Sequence, residues 1–221
     1  MAHESLSSSH LLTTNSGRNR SSVRLLIVVE GTTDIALLTR VSALLAAAEP
    51  SVPNLEALES QGEIVFVPFG GGNVAAWRDR LRPLGLGEFH LYDGELPPET
   101  AVRQRAAELV NAQPNCRAFV THKRSLENYL HPQAIVAAGG PVAAFGDTDN
   151  VAEIVVQARH KASFRFPWAA LPRSRRRKLL HQTKRWLCTE VASHMTPALL
   201  AESDPAGEIR SWLAAIAELL A

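Results

Sequence analysis

Acidic side chains recur at the ends of the apolar runs in this chain. Glu30 closes the run RLLIVV, residues 24 to 29, and Asp34 follows it at the start of the next segment. Asp93 closes EFHLY, 88 to 92, with Glu95 just beyond, and Glu127 lies after CRAFVT, 116 to 121. Carboxylates gathered in one place raise each other's pKa unless cations are supplied. Magnesium or manganese suits such a set, as a hard cation taking carboxylate oxygens together with water and substrate phosphate. Two such ions can stabilise both the attacking and the leaving oxygen in phosphodiester cleavage. Any one of these acids alone would more often be a helix cap or a solvated loop residue. Their coincidence carries the argument.

That coincidence needs elements to hold the acids on one edge. RLLIVV has the branched, continuous apolar composition of a buried parallel strand. IALLTRVSALLAAA, 35 to 48, follows with helical composition. Residues 51 to 62 read as a loop with room for a short helical turn. EIVFVPF, 63 to 69, is a second strand, and Gly70 to Asn73 turn into a helix near VAAWRDRL. EFHLY is a third strand, ETAVRQRAAELVNA a helix and CRAFVT a fourth strand. Strands alternating with helices predict an α/β fold with a mainly parallel sheet flanked by helices. In such sheets sites form at the carboxyl ends of the strands. That rule puts Glu30, the glycine turn, Asp93 and the segment after Thr121 together. If the helix begins at Thr32 or Thr33, Asp34 lies one turn along the same face as Glu30. If Asp93-Gly94-Glu95 is extended, its two carboxylates point to one side.

Beyond about residue 147 the strand signal fades. VAEIVVQARHKA, SRRRKLLHQTKRWLCTEVASHM and PAGEIRSWLAAIAELLA read as helices, the second long, basic and amphipathic. The expected organisation is a leader over 1–22, an α/β domain over 23–146 and a helical region over 147–221 packed on it. The leader is rich in Ser, Asn and Thr and lacks the basic start and apolar core of a secretory signal.

Composition limits the alternatives. The net charge is +1, so no global basic field marks a nucleic-acid binder, and such a site must rest on local charge and metal. Cys116 and Cys188 lack metal-ligand spacing, which argues against zinc or a disulfide framework and suits a reducing cytoplasm. No apolar run reaches the ~18 residues of a membrane span. The histidines show no HExxH pairing; His122, beside the site edge, is the one of interest. The triple glycine is neither a Walker motif nor a dinucleotide fingerprint. Gly71, Gly72 and Asn73 could form a backbone nest for phosphate or a plain helix entry.

The residues resemble a family. LLIVVEGTTDIALL looks like the first Toprim motif, a strand ending in Glu-Gly with an acid shortly after. HLYDGEL looks like the second, with Glu95 where the usual Asp-x-Asp has its second Asp. VPFGGGNVAAW and HKRSLENYLHP are similar to the glycine and Glu-Asn-Tyr segments of OLD-type (overcoming lysogenization defect) Toprim domains. Together these cover about residues 24 to 132. The resemblance implies a Rossmann-like sheet of four strands and a metal set of Glu30, Asp34, Asp93, Glu95 and Glu127, with Glu30 also handling a proton. It implies a lysine from the helical region, with Lys184 the first candidate and Lys178 the second, to neutralise charge on the phosphate. A basic face exposed to solvent is the alternative for both lysines.

OLD proteins carry an ATPase ahead of this domain. Here about twenty residues precede the first strand and no Walker motif occurs, so the expectation is a stand-alone Toprim protein, a fragment, or the partner of an ATPase acting in trans. A homodimer is open too. Arg175, Arg176 and Lys178 in the basic run are candidate phosphate contacts, or an ordinary solvated face. Trp168 and Trp186 read as half-buried anchors before stacking platforms. Asn128 and Tyr129 are expected to shape the site rather than react. The expectation is a cytoplasmic endonuclease dependent on Mg2+ or Mn2+, with two ions the number the chemistry suggests, acting on DNA in preference to RNA. The alternative is a non-catalytic nucleic-acid-binding or regulatory Toprim module in a phage-defence or repair complex. Topoisomerase-like chemistry requires a nucleophilic tyrosine, and the chain offers Tyr92 and Tyr129 alone.

Overall fold

The computed structural model describes residues 23–70, 77 and 80–221. The leader, Gly71, Gly72, Asn73 and most of the helix expected near 74–81 lie outside the described residues. Four strands, β1 (Leu25–Val29), β2 (Ile64–Pro68), β3 (Gly87–Tyr92) and β4 (Cys116–Val120), form one sheet in the order β2-β1-β3-β4. Every pairing is parallel. Every side chain of β1 is buried, because helices cover both faces and neither needs polar residues. Leu25, Ile27 and Val29 face the larger core, while Val28 packs with Tyr92, Ala106, Val110 and Ala118 in a smaller one.

The helices follow from their apolar stripes. Helix α1 (Thr32–Ala48) buries Asp34, Leu37, Leu38, Val41, Ser42 and Leu45, a 3.6-residue stripe headed by a carboxylate. A short α2 (Leu55–Ser60), capped by Asn54, occupies the expected loop. Helix α3 (Glu99–Asn111) buries Arg103, Ala106, Ala107 and Val110, a stripe headed by a guanidinium. A 3₁₀ turn (Leu126–Tyr129) carries Glu127. Helix α4 (Pro132–Ala137) follows it, entered through His131 and Pro132.

The C-terminal helices are α5 (Val151–Ser163), α6 (Arg173–Trp186), α7 (Pro197–Ser203) and α8 (Glu208–Leu220). The long basic helix is not uniform. After Trp186 it widens into a π turn over Leu187–Val191, and Leu187, Cys188 and Val191 turn into the core. One extra residue per turn shifts the buried face, a feature frequent near functional sites. Neither α4 nor α7 was anticipated. Both begin with a capping residue followed by Pro, the signal that marks them, but they are shorter than a periodicity can reveal. The final helix starts after Gly207, and Asp204 accepts the N–H groups of Glu208 and Ile209 at 2.9 and 2.8 Å. Trp212 of α8, 1% exposed, packs edge-on against Tyr129 at 5.3 Å. Replacing such an indole by Ala costs about 3–5 kcal/mol. The larger core therefore joins β1, the 3₁₀ turn, the π turn and α8.

Candidate active site

In the strand order, the chain steps from β1 to β2 on one side and crosses to β3 on the other. The switch point lies between the carboxyl ends of β1 and β3, where ligand crevices form in open α/β sheets. Glu30 follows β1 and Asp93 follows β3. One carboxylate oxygen from each of Glu30, Asp93 and Glu95 lies within 4.8 Å of the others.

Each of these acids has a local reason for its place. Gly70, with φ of 80°, ends β2 and donates its N–H to the Glu30 carbonyl at 2.9 Å. The Glu30 carboxylate accepts the Asp93 N–H at 3.3 Å. Asp93 is 4% exposed, and its Oδ1 accepts the Leu126 N–H at 3.3 Å, tying β3 to the 3₁₀ turn. The segment Asp93-Gly94-Glu95 is not extended, contrary to expectation. Glu95 has φ of 50° and donates its N–H to the Arg124 carbonyl. A Cβ on Gly94 would sit 2.4 Å from the Thr121 carbonyl and 2.5 Å from that of Lys123. Glycine lets the chain turn against this backbone, and the turn rather than strand alternation brings Glu95 to Asp93.

Asp34 and Glu127 meet on the α1 side. Asp34 Oδ2 accepts the Gly31 N–H at 2.7 Å, so the acid also closes the helix start. Lys184 of α6 reaches both, with Nζ 3.1 Å from Glu127 Oε1 and 3.7 Å from Asp34 Oδ1. Burial is the largest influence on Asp34; Lys184 opposes it and Glu127 adds to it, leaving the carboxyl pushed up to about 6. Burial and the charge of Asp34 hold Asp93 well above the carboxylate range, with Glu127 and Glu30 adding and Lys184 opposing. Burial works against the Lys184 ammonium, yet the charges of Glu127, Asp93 and Asp34 outweigh it and raise its pKa. Cys188 sits 3.5 Å from Glu127 Oε1; burial first, then Glu127, push its thiol well up, so it is an inert wall.

Arg103 escaped the sequence reading. Its Nε and Nη2 both lie 2.8 Å from Glu30 Oε1, and Nη2 lies 3.9 Å from Glu95 Oε1. The available signal was a charge on an apolar stripe: Arg103, Ala106, Ala107 and Val110 share one helix face. Arg124 adds a second guanidinium, 3.8 Å from Glu95 Oε2. The other candidates are not in the cluster. Arg175 and Lys178 are exposed on α6 and Arg176 is half-buried there, in the turns before Lys184. The His122 side chain is 81% exposed beside Glu208. Asn128 bonds Ser125 and the carbonyls of Gly146 and Asp149, which shapes the loop. Tyr129 donates to Glu208. Tyr92 bonds His90, which in turn bonds Glu88 at 2.7 Å. Both tyrosines are buried, which denies them to a nucleophilic role.

The donor set fits a hard divalent ion: three carboxylates converge, and burial leaves Asp93 in need of positive charge. The sheet order and its acidic switch point define an open parallel α/β domain with a crevice between β1 and β3. Solved structures agree. The chain is similar to the C-terminal region of the Burkholderia pseudomallei OLD protein, at 18% identity and a TM-score of 0.53, covering 90% of this chain and 99% of that one. It is similar also to the C-terminal region of the Xanthomonas campestris pv. campestris OLD protein, at 16% identity and a TM-score of 0.50, covering 90% and 94%. Likenesses at this identity establish the fold: the chain has the fold of the OLD C-terminal region. No protein-family model matches the chain, and no curated protein matches it by sequence. No helix among the described residues is long and apolar enough to cross a membrane.

Proposed function

We propose that the protein is a metal-dependent nuclease that hydrolyses phosphodiester bonds in DNA. The observation that supports this reading best is the convergence of Glu30, Asp93 and Glu95 within 4.8 Å at the sheet's switch point. Glu30, Asp93 and Glu95 would hold a divalent ion, with Asp34 and Glu127 as the flanking acids. Such an ion, or two, supplies Lewis acidity and lowers the pKa of water. The chain's own groups do the rest. Arg103 orients the Glu30 carboxylate, whose second task is to take a proton from the attacking water. Lys184, a third exposed, offers its ammonium to charge developing on the phosphate. The basic face of α6 holds the nucleic-acid backbone through phosphate contacts. An ATPase supplied in trans would belong to this reading.

The test is cleavage of supercoiled plasmid and of single strands by the purified chain, with magnesium, manganese or EDTA, beside Asp93→Ala. Cleavage that needs both the metal and Asp93 supports the nuclease. Cleavage by Asp93→Ala at the wild-type rate sinks the site assignment. No cleavage with either metal moves the weight to a non-catalytic binding module.

A further inference from the structure

Lys161 lies in the last turn of α5, and the segment that joins α5 to α6 opens with three aromatic residues around one arginine: Phe164, Arg165, Phe166 and Trp168. The rings gather around His160, which is buried and held by Nε2 at 2.9 Å from the Phe166 carbonyl. Phe164 stacks on the imidazole at 4.9 Å and 27°, while Phe166 and Trp168 stand edge-on to it at 5.0 and 5.6 Å. Two of these rings remain open to solvent: Phe164 is 50% exposed and Phe166 46%. They line a cavity of about 620 Å³ together with Lys161 and Arg165. A second cavity of about 240 Å³ shares His160 and Phe164, runs between α5 and α6, and reaches Thr183, the neighbour of Lys184.

Charge surrounds this path on one sign only. Lys161, Arg165, Arg173, Arg175, Arg177 and Lys178 are exposed, and none has a carboxylate partner among the described residues. The Nε of Arg176 is buried without a hydrogen-bond partner. In contrast, Lys184 further along α6 has carboxylate partners in Glu127 and Asp34. Unpaired cations beside open aromatic faces complement a polyanion that carries flat rings. A duplex keeps its base faces stacked inside and can use only the cations. A single strand can use both, through phosphates on the lysines and arginines and bases on the phenylalanines.

We propose that the groove between the Phe164–Phe166 pair and α6 binds single-stranded nucleic acid, stacking unpaired bases on the two phenylalanines and leading the strand toward Lys184. This names the substrate form for the nuclease reading and rests on that reading for its purpose. Its test does not depend on cleavage. From Arg173 to Lys184 the path along α6 is about 16 Å at the helical rise of 1.5 Å per residue.

The experiment is fluorescence anisotropy on the whole chain in EDTA, with a labelled oligodeoxynucleotide of about 20 nucleotides, longer than the reach of one stacking groove. The oligoribonucleotide of the same sequence and the blunt duplex are the other probes. At least one single strand should bind about tenfold tighter than the duplex, and whichever binds tighter names the nucleic acid. Phe164→Ala with Phe166→Ala should weaken single-strand binding about tenfold or more and leave duplex binding within about twofold, as expected for lost base stacking. Phe164→Trp with Phe166→Trp should retain tight binding, and it keeps the test decisive if the alanine variant folds poorly. Arg175→Ala with Lys178→Ala should flatten the salt dependence on every probe. Equal binding of duplex and single strands by the wild type overturns the proposal. So does unchanged single-strand binding by the folded alanine variant, or loss of it in the tryptophan variant. Failure to bind any oligonucleotide overturns it too and leaves the groove to a protein. A chain that binds single strands but never cleaves refutes the nuclease reading and not this one.

Discussion

Asp34 and Glu127 meet Lys184 in a closed corner, each with 3% of its side chain exposed. Glu30 and Glu95 meet Arg103 at an open rim, with 15% and 34% exposed. Both pairs of acids are balanced by a cation from a helix, but the surroundings differ. In the corner water reaches little of the two carboxylates, so they depend on the Lys184 ammonium. At the rim solvent shares the load, and a protein cation can be joined or displaced by a metal ion. Asp93 stands between the two, buried yet facing both. The difference teaches that the two halves of one acidic edge have separate duties. One half ties α6 to α1 and the 3₁₀ turn through Lys184, and the other leaves its carboxylates more open to solvent.

Substitutions can break or sharpen this contrast. Asp93→Ala should have the largest effect, a loss of metal-dependent cleavage on the order of 10³-fold, the scale for removing a transition-state charge stabiliser. Its unfolding midpoint should stay at or above that of the wild type, because a buried acid has been removed; a cooperative loss of fold would show that Asp93 is structural first. Lys184→Ala should destabilise the chain by about 3 kcal/mol in urea unfolding, the low end for breaking a buried pair, since the lysine is a third exposed. An unchanged midpoint would end the distinction between corner and rim. Arg103→Met should tighten manganese binding by about tenfold in calorimetry, because Glu30 and Glu95 lose a competing cation. Weaker binding would mean that Arg103 serves the ion by holding Glu30 in place.

The smallest effect belongs to an ion pair away from both halves. Arg210 hydrogen-bonds Glu49, with Nη2 2.7 Å from Oε1, and that bond lowers the Glu49 pKa. A depressed carboxyl pKa contributes stability above its unfolded value of 4.5, and the contribution fades as pH falls through the folded value. Glu49→Gln should therefore lower the melting temperature slightly at pH 7 and not at all at pH 3. Both partners are exposed, so a large drop at pH 7 would contradict the solvent screening assumed here.

Much of this architecture was legible in the residues. The unbroken apolar run of β1 announced a strand buried on both faces, and Glu30 and Asp93 stood at the carboxyl ends of β1 and β3, the edge where open α/β sheets build sites. Asp34 could be read from its position ahead of an apolar helix. Arg103 stands in the sequence as a charge heading an apolar stripe, but the stripe alone does not say that its guanidinium meets Glu30. For Glu95 the local geometry differs from the expectation: a glycine turn and not an extended segment brings it to Asp93.

Sequence alone determined the α/β rhythm, the order of the acids along the chain and the basic character of α6, because each follows from local composition and period. Tertiary structure alone decided which cation meets which acid. Lys184 and Glu127 are far apart in sequence, and the contact depends on how the π turn sets the end of α6 against α1. The same is true of the Phe164 groove, whose walls come from helices that only packing brings together. No local pattern encodes such distances, because they arise from the sum of core contacts that fix one helix against another.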